Sequence, residues 1–276
     1  MRVLFCGVRG STPSPGADFV RYGGNTSCVA LAHDGAAPSL VLDGGTGLRN
    51  LSRHLGTRSF RGTILLGHLH WDHTQGLPFF AAGDRPDSEV TVVMPAQGDP
   101  DEVLKRAFAP PHFPITPAQL GGRWRIAAAE PGAHRFEGFE VLAAEIPHKG
   151  GRTFGYRVSD GGASVAYLSD HSPIAAGPGP YGLGEYHEAA VALAREVDLL
   201  IHDAQHTAAE FPARRHFGHA AVEYAVGLAE EAGAKMLVLF HHDPSRTDDQ
   251  LDALVADNQG GAVRVVAASE GLSIDL

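Results

Sequence analysis

The residues best suited to chemistry in this 276-residue sequence lie in one short segment, Gly67-His68-Leu69-His70-Trp71-Asp72-His73. It offers three imidazoles and one carboxylate directly after the apolar run 63–66. In an extended segment His68 and His70 point to the same side, and a turn after His70 can bring the rest of the segment round. Asp72 and His73 would then face the first two histidines. Because imidazole nitrogen and carboxylate oxygen suit zinc and similar first-row ions, the segment predicts a metal site.

This segment alone cannot surround two ions, and further ligands are expected after other apolar runs. His148 follows the run 141–147, Asp170 follows 165–169 and His241 follows 237–240. A single histidine after a strand is more often a solvated or capping side chain than a ligand. The prediction that these residues bind metal therefore depends on the segment 68–73. Since open α/β sheets place their sites at strand ends, all of them can converge on one point. The interpretation is a two-ion centre with Asp170 as the bridge, His68, His70 and His148 on one ion, and Asp72, His73 and His241 on the other.

Short strands that alternate with helical patterns must position these residues. Strands are predicted where β-rich or apolar runs are bounded by turn residues, at 2–6, 26–32, 39–42, 63–66, 90–94, 139–146, 154–158, 165–168, 199–201, 237–240 and 263–267. Asp99 before Pro100 predicts a helix that runs to Phe108. Thr247 and Gln250 fit a capping box, and the helical pattern at 221–232 ends at a glycine C-cap.

No linker, charge block or internal repeat divides the chain. We therefore expect a single domain, 1–276, of the α/β class, with helices covering the sheet faces. The proline-rich stretch at about 107–135 shows no sustained period. It is predicted to be a long loop.

Composition narrows the classes of function. The sequence has 22 Lys+Arg against 32 Asp+Glu, a net charge of −10, which disfavours an extended nucleic-acid surface. Two cysteines cannot build a four-cysteine zinc site, and Cys6 and Cys28 are expected to be core residues on adjacent strands. No apolar run approaches the roughly 18 residues of a membrane span, and the first thirty residues lack a signal-peptide pattern. We expect a soluble, cytoplasmic protein without a membrane partner.

The His-x-His-x-Asp-His order of 68–73 resembles the hallmark loop of the metallo-β-lactamase fold superfamily, and the resemblance extends over nearly the whole chain. It implies an αββα sandwich. Asp43, in Leu42-Asp43-Gly44-Gly45-Thr46-Gly47, matches the early aspartate of the superfamily. The match implies that Asp43 has a structural role and orients the metal loop. A glycine-rich turn before a helix is the simpler alternative.

The closer resemblance is to the phosphodiesterase branch, namely ribonuclease Z and the phosphoribosyl cyclic phosphodiesterases. Residues 7–13 and 21–28 resemble the first hairpin of the cyclic phosphodiesterases, and Ile201-His202-Asp203-Ala204 resembles the His-Glu-Ala-Thr segment of ribonuclease Z. Phe217-Gly218-His219 and 240–244 resemble later histidine segments of the branch, which makes His241, not His242, the ligand. The basic arm with which ribonuclease Z holds transfer RNA has no counterpart in this sequence.

The resemblance implies a metal-dependent hydrolase that acts on phosphodiesters. Two ions would lower the pKa of a bridging water, so that hydroxide attacks phosphorus near neutral pH. His219 is predicted to be the general acid for the leaving alkoxide, with Asp203 orienting its imidazole; a capping carboxylate and a helix-terminal histidine are the alternatives. Asp72 counts as both a ligand and a catalytic residue. Zinc is the first choice of metal, and the same ligands accept manganese or iron.

We expect the substrate to be a small, cyclic phosphodiester such as a cyclic nucleotide or a ribose cyclic phosphate. The alternatives are an RNA-processing nuclease of the ribonuclease Z type and a lactone, thioester or β-lactam hydrolase on the same fold. An anionic substrate needs local cations in this acidic protein, and the candidates are Arg9, Arg21, Lys149 and Arg152. A homodimer is a fair expectation. Histidines beside the motifs stay without a role: His171, His202, His206, His216 and His242.

Overall fold

Two seven-stranded sheets form the centre of the computed structural model, which describes residues 1–276. The first sheet consists of β1 (Arg2–Gly7), β2 (Cys28–Ala32), β3 (Leu40–Leu42), β4 (Arg61–Leu65), β5 (Glu89–Pro95), β6 (Arg123–Ala129) and β14 (Ser273–Asp275), in the order β14-β1-β2-β3-β4-β5-β6. The second consists of β7 (Gly132–Phe136), β8 (Phe139–Glu145), β9 (Phe154–Ser159), β10 (Ser164–Leu168), β11 (Leu199–Asp203), β12 (Met236–Phe240) and β13 (Arg264–Ala267), in the order β13-β12-β11-β10-β9-β8-β7.

Helices cover the outer face of each sheet. They are α1 (Leu48–Leu55), α2 (Trp71–Thr74), α3 (Pro100–Lys105), α4 (Glu188–Ala194), α5 (Phe211–Arg214), α6 (Val222–Ala232) and α7 (Asp248–Asp257). Leu48, Leu51 and Leu55 recur at helical spacing and bury one face of α1 against the first sheet. Leu193 and Leu228, from α4 and α6, are buried against the second sheet.

A third apolar cluster fills the space between the sheets. Phe5 and Leu31 of the first sheet belong to the same buried cluster as Val158 and Phe240 of the second. The order of layers is therefore helix, sheet, sheet, helix, and the expected αββα sandwich is confirmed. No helix is both long enough and apolar enough to cross a bilayer.

All eleven predicted strands are present, with ends within two residues of those expected. The caps are also as predicted: Asp99 accepts a hydrogen bond from the Glu102 amide, and Thr247 and Gln250 form the capping box. Helix α3 ends at Lys105, however, three residues before the predicted end. Cys6 and Cys28 are buried free thiols on the adjacent strands β1 and β2, as expected.

The prediction of a continuous loop at 107–135 was wrong. Strands β6 and β7 lie within it, at the edges of the first and second sheets. None of their residues is fully buried, and many are exposed. Edge strands that bury little surface need no strong apolar alternation, so the sequence pattern there was weak. Helices α1, α2, α4 and α5 and strand β14 were not predicted either.

The parallel strands carry the functional residues at their carboxyl ends. β3 and β4 run parallel in the first sheet, and β10, β11 and β12 run parallel in the second. Asp43 follows β3, Asp170 lies two residues after β10 and His241 follows β12. These three residues have positive φ values of 65°, 58° and 57°. Such conformations are costly for residues other than glycine, and they cluster at functional sites.

Candidate metal centre

Three groups of potential ligand atoms meet at this edge of the sandwich, and all of them share Asp170. The third group comprises Asp170, Asp203, His219 and His241, and the other two hold the predicted ligands. One comprises His68, His70, His148 and Asp170, and the other comprises Asp72, His73, Asp170 and His241; within each group the ligand atoms lie within 4.8 Å of one another. The structure thus brings together all seven side chains that the sequence placed around two ions.

Each carboxylate oxygen of Asp170 faces a different group. Its Oδ2 lies 3.4 Å from Nε2 of both His68 and His148. Its Oδ1 lies 3.0 Å from Nε2 of His73 and 2.9 Å from Nε2 of His241. A carboxylate placed in this way could hold one ion with each oxygen.

Buried nitrogens without partners show that the residues fit divalent ions. Nε2 of His68 and Nε2 of His73 are buried and form no hydrogen bond, although both lie close to Asp170. An unpaired buried polar atom is costly, and a cation between the nitrogens and the carboxylate would remove that cost. Because every donor is imidazole nitrogen or carboxylate oxygen, the set suits zinc, manganese or iron.

The charges in the cluster are strongly coupled. Burial disfavours a charged imidazole at His73, yet the carboxylates of Asp72 and Asp170 outweigh it and raise the pKa of His73 well above its usual range. Burial also opposes charge at His241, but Asp170 raises the pKa of that imidazole to about 10. The two carboxylates therefore favour positive charge between them, which divalent ions would supply.

Asp43 contacts the predicted metal loop and lies outside these groups of potential ligands. Its Oδ2 lies 2.7 Å from Nδ1 of His73 and accepts a hydrogen bond of 2.7 Å from the Tyr167 hydroxyl. Its Oδ1 accepts a 2.7 Å hydrogen bond from the amide of Gly67. With Nδ1 engaged in this way, Nε2 of His73 is directed at Asp170.

Backbone groups position three more ligands, and sequence reasoning did not assign these roles. The Gly218 carbonyl lies 2.8 Å from Nδ1 of His148. The amide of Ser11 donates a 2.7 Å hydrogen bond to Oδ2 of Asp72. A Cβ atom at Gly10 would lie 2.3 Å from Nδ1 of His241, so that ring packs against bare backbone. The sequence contains one signal for these roles. Gly10 and Ser11 lie in the segment that resembles the first hairpin of the cyclic phosphodiesterases, and Gly218 lies beside His219.

His219 and Asp203 form a pair next to the ion site. Nδ1 of His219 lies 2.9 Å from Oδ2 of Asp203, whose Oδ1 accepts a hydrogen bond from the amide of Gln205. This leaves Nε2 of His219 available toward a cavity of about 390 Å³, lined by Ser11, Leu69, His70, Trp71, Asp72, Asp170 and His219. The pair has the geometry of a proton donor and its orienting carboxylate.

None of the four cations predicted to bind substrate lines this cavity. Arg9 is fully buried; its guanidinium donates to the carbonyls of Gly23 and Arg246, so its assignment to substrate was wrong. Arg21 pairs with aspartates of α7, and Arg152 pairs with Glu130 and Glu145. These three are structural cations, and their partners lie from 7 to 237 residues away in the sequence. Lys149 differs, since it donates to the carbonyl of His216 and packs against Gly218, beside His148 and His219.

The unassigned histidines are mostly buried supports. Nδ1 of His171 lies 3.1 Å from Nε2 of His202, and Nδ1 of His202 lies 2.6 Å from the Asp203 carbonyl. His242 contacts the Ala268 carbonyl through Nε2. The imidazole of His206 is buried near the His219 ring and has no hydrogen-bond partner, whereas His216 is exposed against Phe217.

Solved structures share this fold at low sequence identity. The chain superimposes on a diphosphatase of the PhnP family with a TM-score of 0.70 and 20% identity, covering 100% of this chain and 97% of that one. The short form of human tRNase Z superimposes with a TM-score of 0.68 and 22% identity, and the match covers 100% of this chain and 99% of that one. Zn²⁺-bound PqqB from Methylobacterium extorquens superimposes with a TM-score of 0.72 and 16% identity, and the match covers 100% of both chains. These likenesses show a common fold.

Comparison of sequences points in the same direction. Ribonuclease Z of Halobacterium salinarum is 24% identical over 324 aligned positions, which cover 100% of this chain and 97% of that protein. The family model described as a β-lactamase superfamily domain matches residues 40–242, most of the chain and nearly all of the site. The protein therefore belongs to the β-lactamase superfamily and is a hydrolase with the metallo-β-lactamase fold, similar in sequence to ribonuclease Z.

Proposed function

We propose that this hydrolase is a dinuclear metal-dependent phosphodiesterase acting on a small, cyclic phosphodiester such as a cyclic nucleotide or a ribose cyclic phosphate. The observation that carries the proposal is the His219–Asp203 pair, which lies beside the shared carboxylate, with Nδ1 of His219 4.0 Å from Oδ2 of Asp170. A phosphodiester releases a strongly basic alkoxide that needs a proton. A proton donor placed at the ion site meets that need.

The chain's own residues divide the work between holding ions and moving a proton. When bound, two divalent ions supply Lewis acidity and an activated water. Asp170 would set the spacing of the ions, and the six other ligands would hold them in place. His219 would donate a proton from Nε2 to the leaving oxygen, while Asp203 holds Nδ1. A cyclic substrate keeps its leaving oxygen tethered after cleavage, so one small cavity can serve the whole step.

Zinc is the proposed metal. The ligand set is rich in imidazole, and the related fold of PqqB carries Zn²⁺. Metal-free protein reconstituted in turn with Zn²⁺, Mn²⁺ and Fe²⁺ should show the highest turnover at the lowest free concentration with Zn²⁺. Equal activity with Mn²⁺ at the metal levels of the cell would transfer the assignment to manganese.

A second candidate is an RNA-processing nuclease, because the curated relatives are named ribonuclease Z. Against it stand the net charge of −10 and the internal ion pairs of Arg9, Arg21 and Arg152. A protein that contacts several RNA phosphates releases counterions, so its binding weakens steeply with salt. A shallow salt dependence of KM on a transfer RNA precursor, together with slow turnover, would exclude this candidate.

One substrate panel tests the proposal. Purified protein with a defined metal content is given 2′,3′-cyclic and 3′,5′-cyclic nucleotides, ribose cyclic phosphate, bis-p-nitrophenyl phosphate, a transfer RNA precursor, a lactone and a β-lactam. We expect kcat/KM to be highest on a cyclic phosphodiester. Activity confined to the lactone or the β-lactam would refute the proposal.

A further inference from the structure

A large aromatic side chain lies exposed between two of the proposed metal ligands. Trp71 separates His70 from Asp72 in the chain, and 74% of its surface is accessible. It occupies the first position of the one-turn helix α2, where no packing requires an indole. An exposed tryptophan beside a reaction centre is an available binding surface.

The indole lies on the wall between two adjoining cavities. The cavity over the metal ligands has a volume of about 390 Å³, and its neighbour has about 270 Å³. Both are lined by Leu69 and Trp71, and the second is completed by residues from α3 and the loops around it, including Val103 and Arg106. A ligand held at the ion site can therefore extend across Trp71 into the second cavity, which we call the side groove.

The side groove carries hydrogen-bonding groups that are not used within the protein. Arg106 is exposed and forms neither an ion pair nor a side-chain hydrogen bond, unlike Arg9, Arg21 and Arg152. Gln97 accepts a hydrogen bond from the Arg152 amide through Oε1, which leaves its amide N–H groups available. The groove thus combines a π face with donors at its edge.

A glycine keeps the groove open where it meets the ion site. Gly150 has a φ of 86°, and a Cβ atom there would lie 2.7 Å from Nε2 of His70. Any larger residue would press on the proposed ligand from the groove side. The backbone therefore comes close to His70 and leaves the space above it free.

We propose that the side groove is a nucleobase subsite, in which the base attached to the scissile phosphodiester stacks on Trp71 and receives hydrogen bonds from Arg106. This inference rests on the proposed function and narrows its substrate to a nucleotide. Every base has a π face, and stacking on an aromatic side chain strengthens binding by about tenfold or more. Arg106 also suits a base edge, because a guanidinium donates to ring nitrogens and carbonyl oxygens.

Two substrates with the same scissile ring test the subsite. Adenosine 2′,3′-cyclic phosphate carries a base, and 1-O-methyl-ribose 2,3-cyclic phosphate does not. Wild-type protein should prefer the adenosine compound by at least about tenfold in kcat/KM. Trp71→Ala should reduce this ratio to near one, Trp71→Phe should retain most of it, and Arg106→Ala should reduce it in part. Tyr181→Ala, which removes an exposed aromatic residue in another cavity, is the matched control and should leave the ratio unchanged.

Binding supplies a readout that does not depend on turnover. The sequence has two tryptophans, so in a Trp124→Phe background the fluorescence reports Trp71 alone. Adenosine 5′-monophosphate should quench it and bind more tightly than ribose 5-phosphate. If neither cyclic diester is hydrolysed, the proposed function fails, and this comparison alone then decides the subsite. Equal binding of the two probes, or an equal loss of kcat/KM on both diesters in Trp71→Ala, would overturn the nucleobase subsite.

Discussion

His219 stands between two aspartates: its Nδ1 lies 2.9 Å from Oδ2 of Asp203 and 4.0 Å from Oδ2 of Asp170. Asp203 ends β11, and Asp170 follows β10, the neighbouring parallel strand. One carboxylate thus orients the proposed proton donor, while the other is directed at the ion ligands. The register of these two strands therefore holds the proposed proton donor next to the proposed ion site.

The first prediction concerns the leaving group. In His219→Ala, turnover of a cyclic nucleotide should fall about 10²–10⁴-fold, because the alkoxide then leaves without a proton. Turnover of bis-p-nitrophenyl phosphate should fall far less, since p-nitrophenolate is a stable anion. Initial rates on both substrates and metal content by elemental analysis are the measurements. Equal losses on both substrates, together with loss of metal, would indicate a ligand or a folding role.

The second prediction concerns the bridge. Asp170→Asn keeps the shape of the side chain but removes the charge that faces both groups, so both ions should bind more weakly. His148→Ala and His241→Ala each remove a ligand from one group only and should retain close to one ion per chain. Elemental analysis after dialysis at a fixed free zinc concentration measures this. If Asp170→Asn kept the full metal content, the bridging role would be wrong.

The third prediction concerns the support of His73. The carboxylate of Asp43 now contacts three donors, the Gly67 amide, Nδ1 of His73 and the Tyr167 hydroxyl. Asp43→Asn replaces one of its oxygens with an NH₂ group, which should weaken metal affinity about 10–100-fold. Asparagine tolerates positive φ as aspartate does, so the backbone strain at this position is matched. Tyr167→Phe removes one of the three donors and should have a smaller effect. Competition with a chelator gives the affinities, and a larger loss in Tyr167→Phe than in Asp43→Asn would contradict this reasoning.

The fourth prediction concerns close packing at Gly10. In Gly10→Ala the new methyl group would press on the His241 ring, so metal content and turnover should both fall while the protein stays folded. Gly162→Ala is the control, because the nearest atom to its new Cβ lies 3.6 Å away. Circular dichroism, elemental analysis and kcat distinguish the two variants. Full activity in Gly10→Ala would show that His241 is free to move and is not held as a ligand.

Local patterns predicted much of the fold. Apolar runs bounded by turn residues placed eleven strands, and the caps at Asp99 and Thr247 placed helix starts, because these signals act within a few residues. The edge strands β6, β7 and β14 were missed, since a strand that buries little surface leaves no clear alternation.

The sequence by itself determined the chemistry: His68, His70, Asp72 and His73 are close along the chain, and ligand identity is a property of residue type. Only the tertiary structure decided the arrangement. Asp170 and His241 reach the centre through left-handed backbone conformations at strand ends, which residue type does not announce. Arg9 does not have its predicted role, because its guanidinium donates to the carbonyl of Arg246, 237 residues further along the chain. The role proposed for Trp71 follows from its place on the wall of the side groove. Partners that lie far apart in sequence are set by how the two sheets stack, and no local pattern records that.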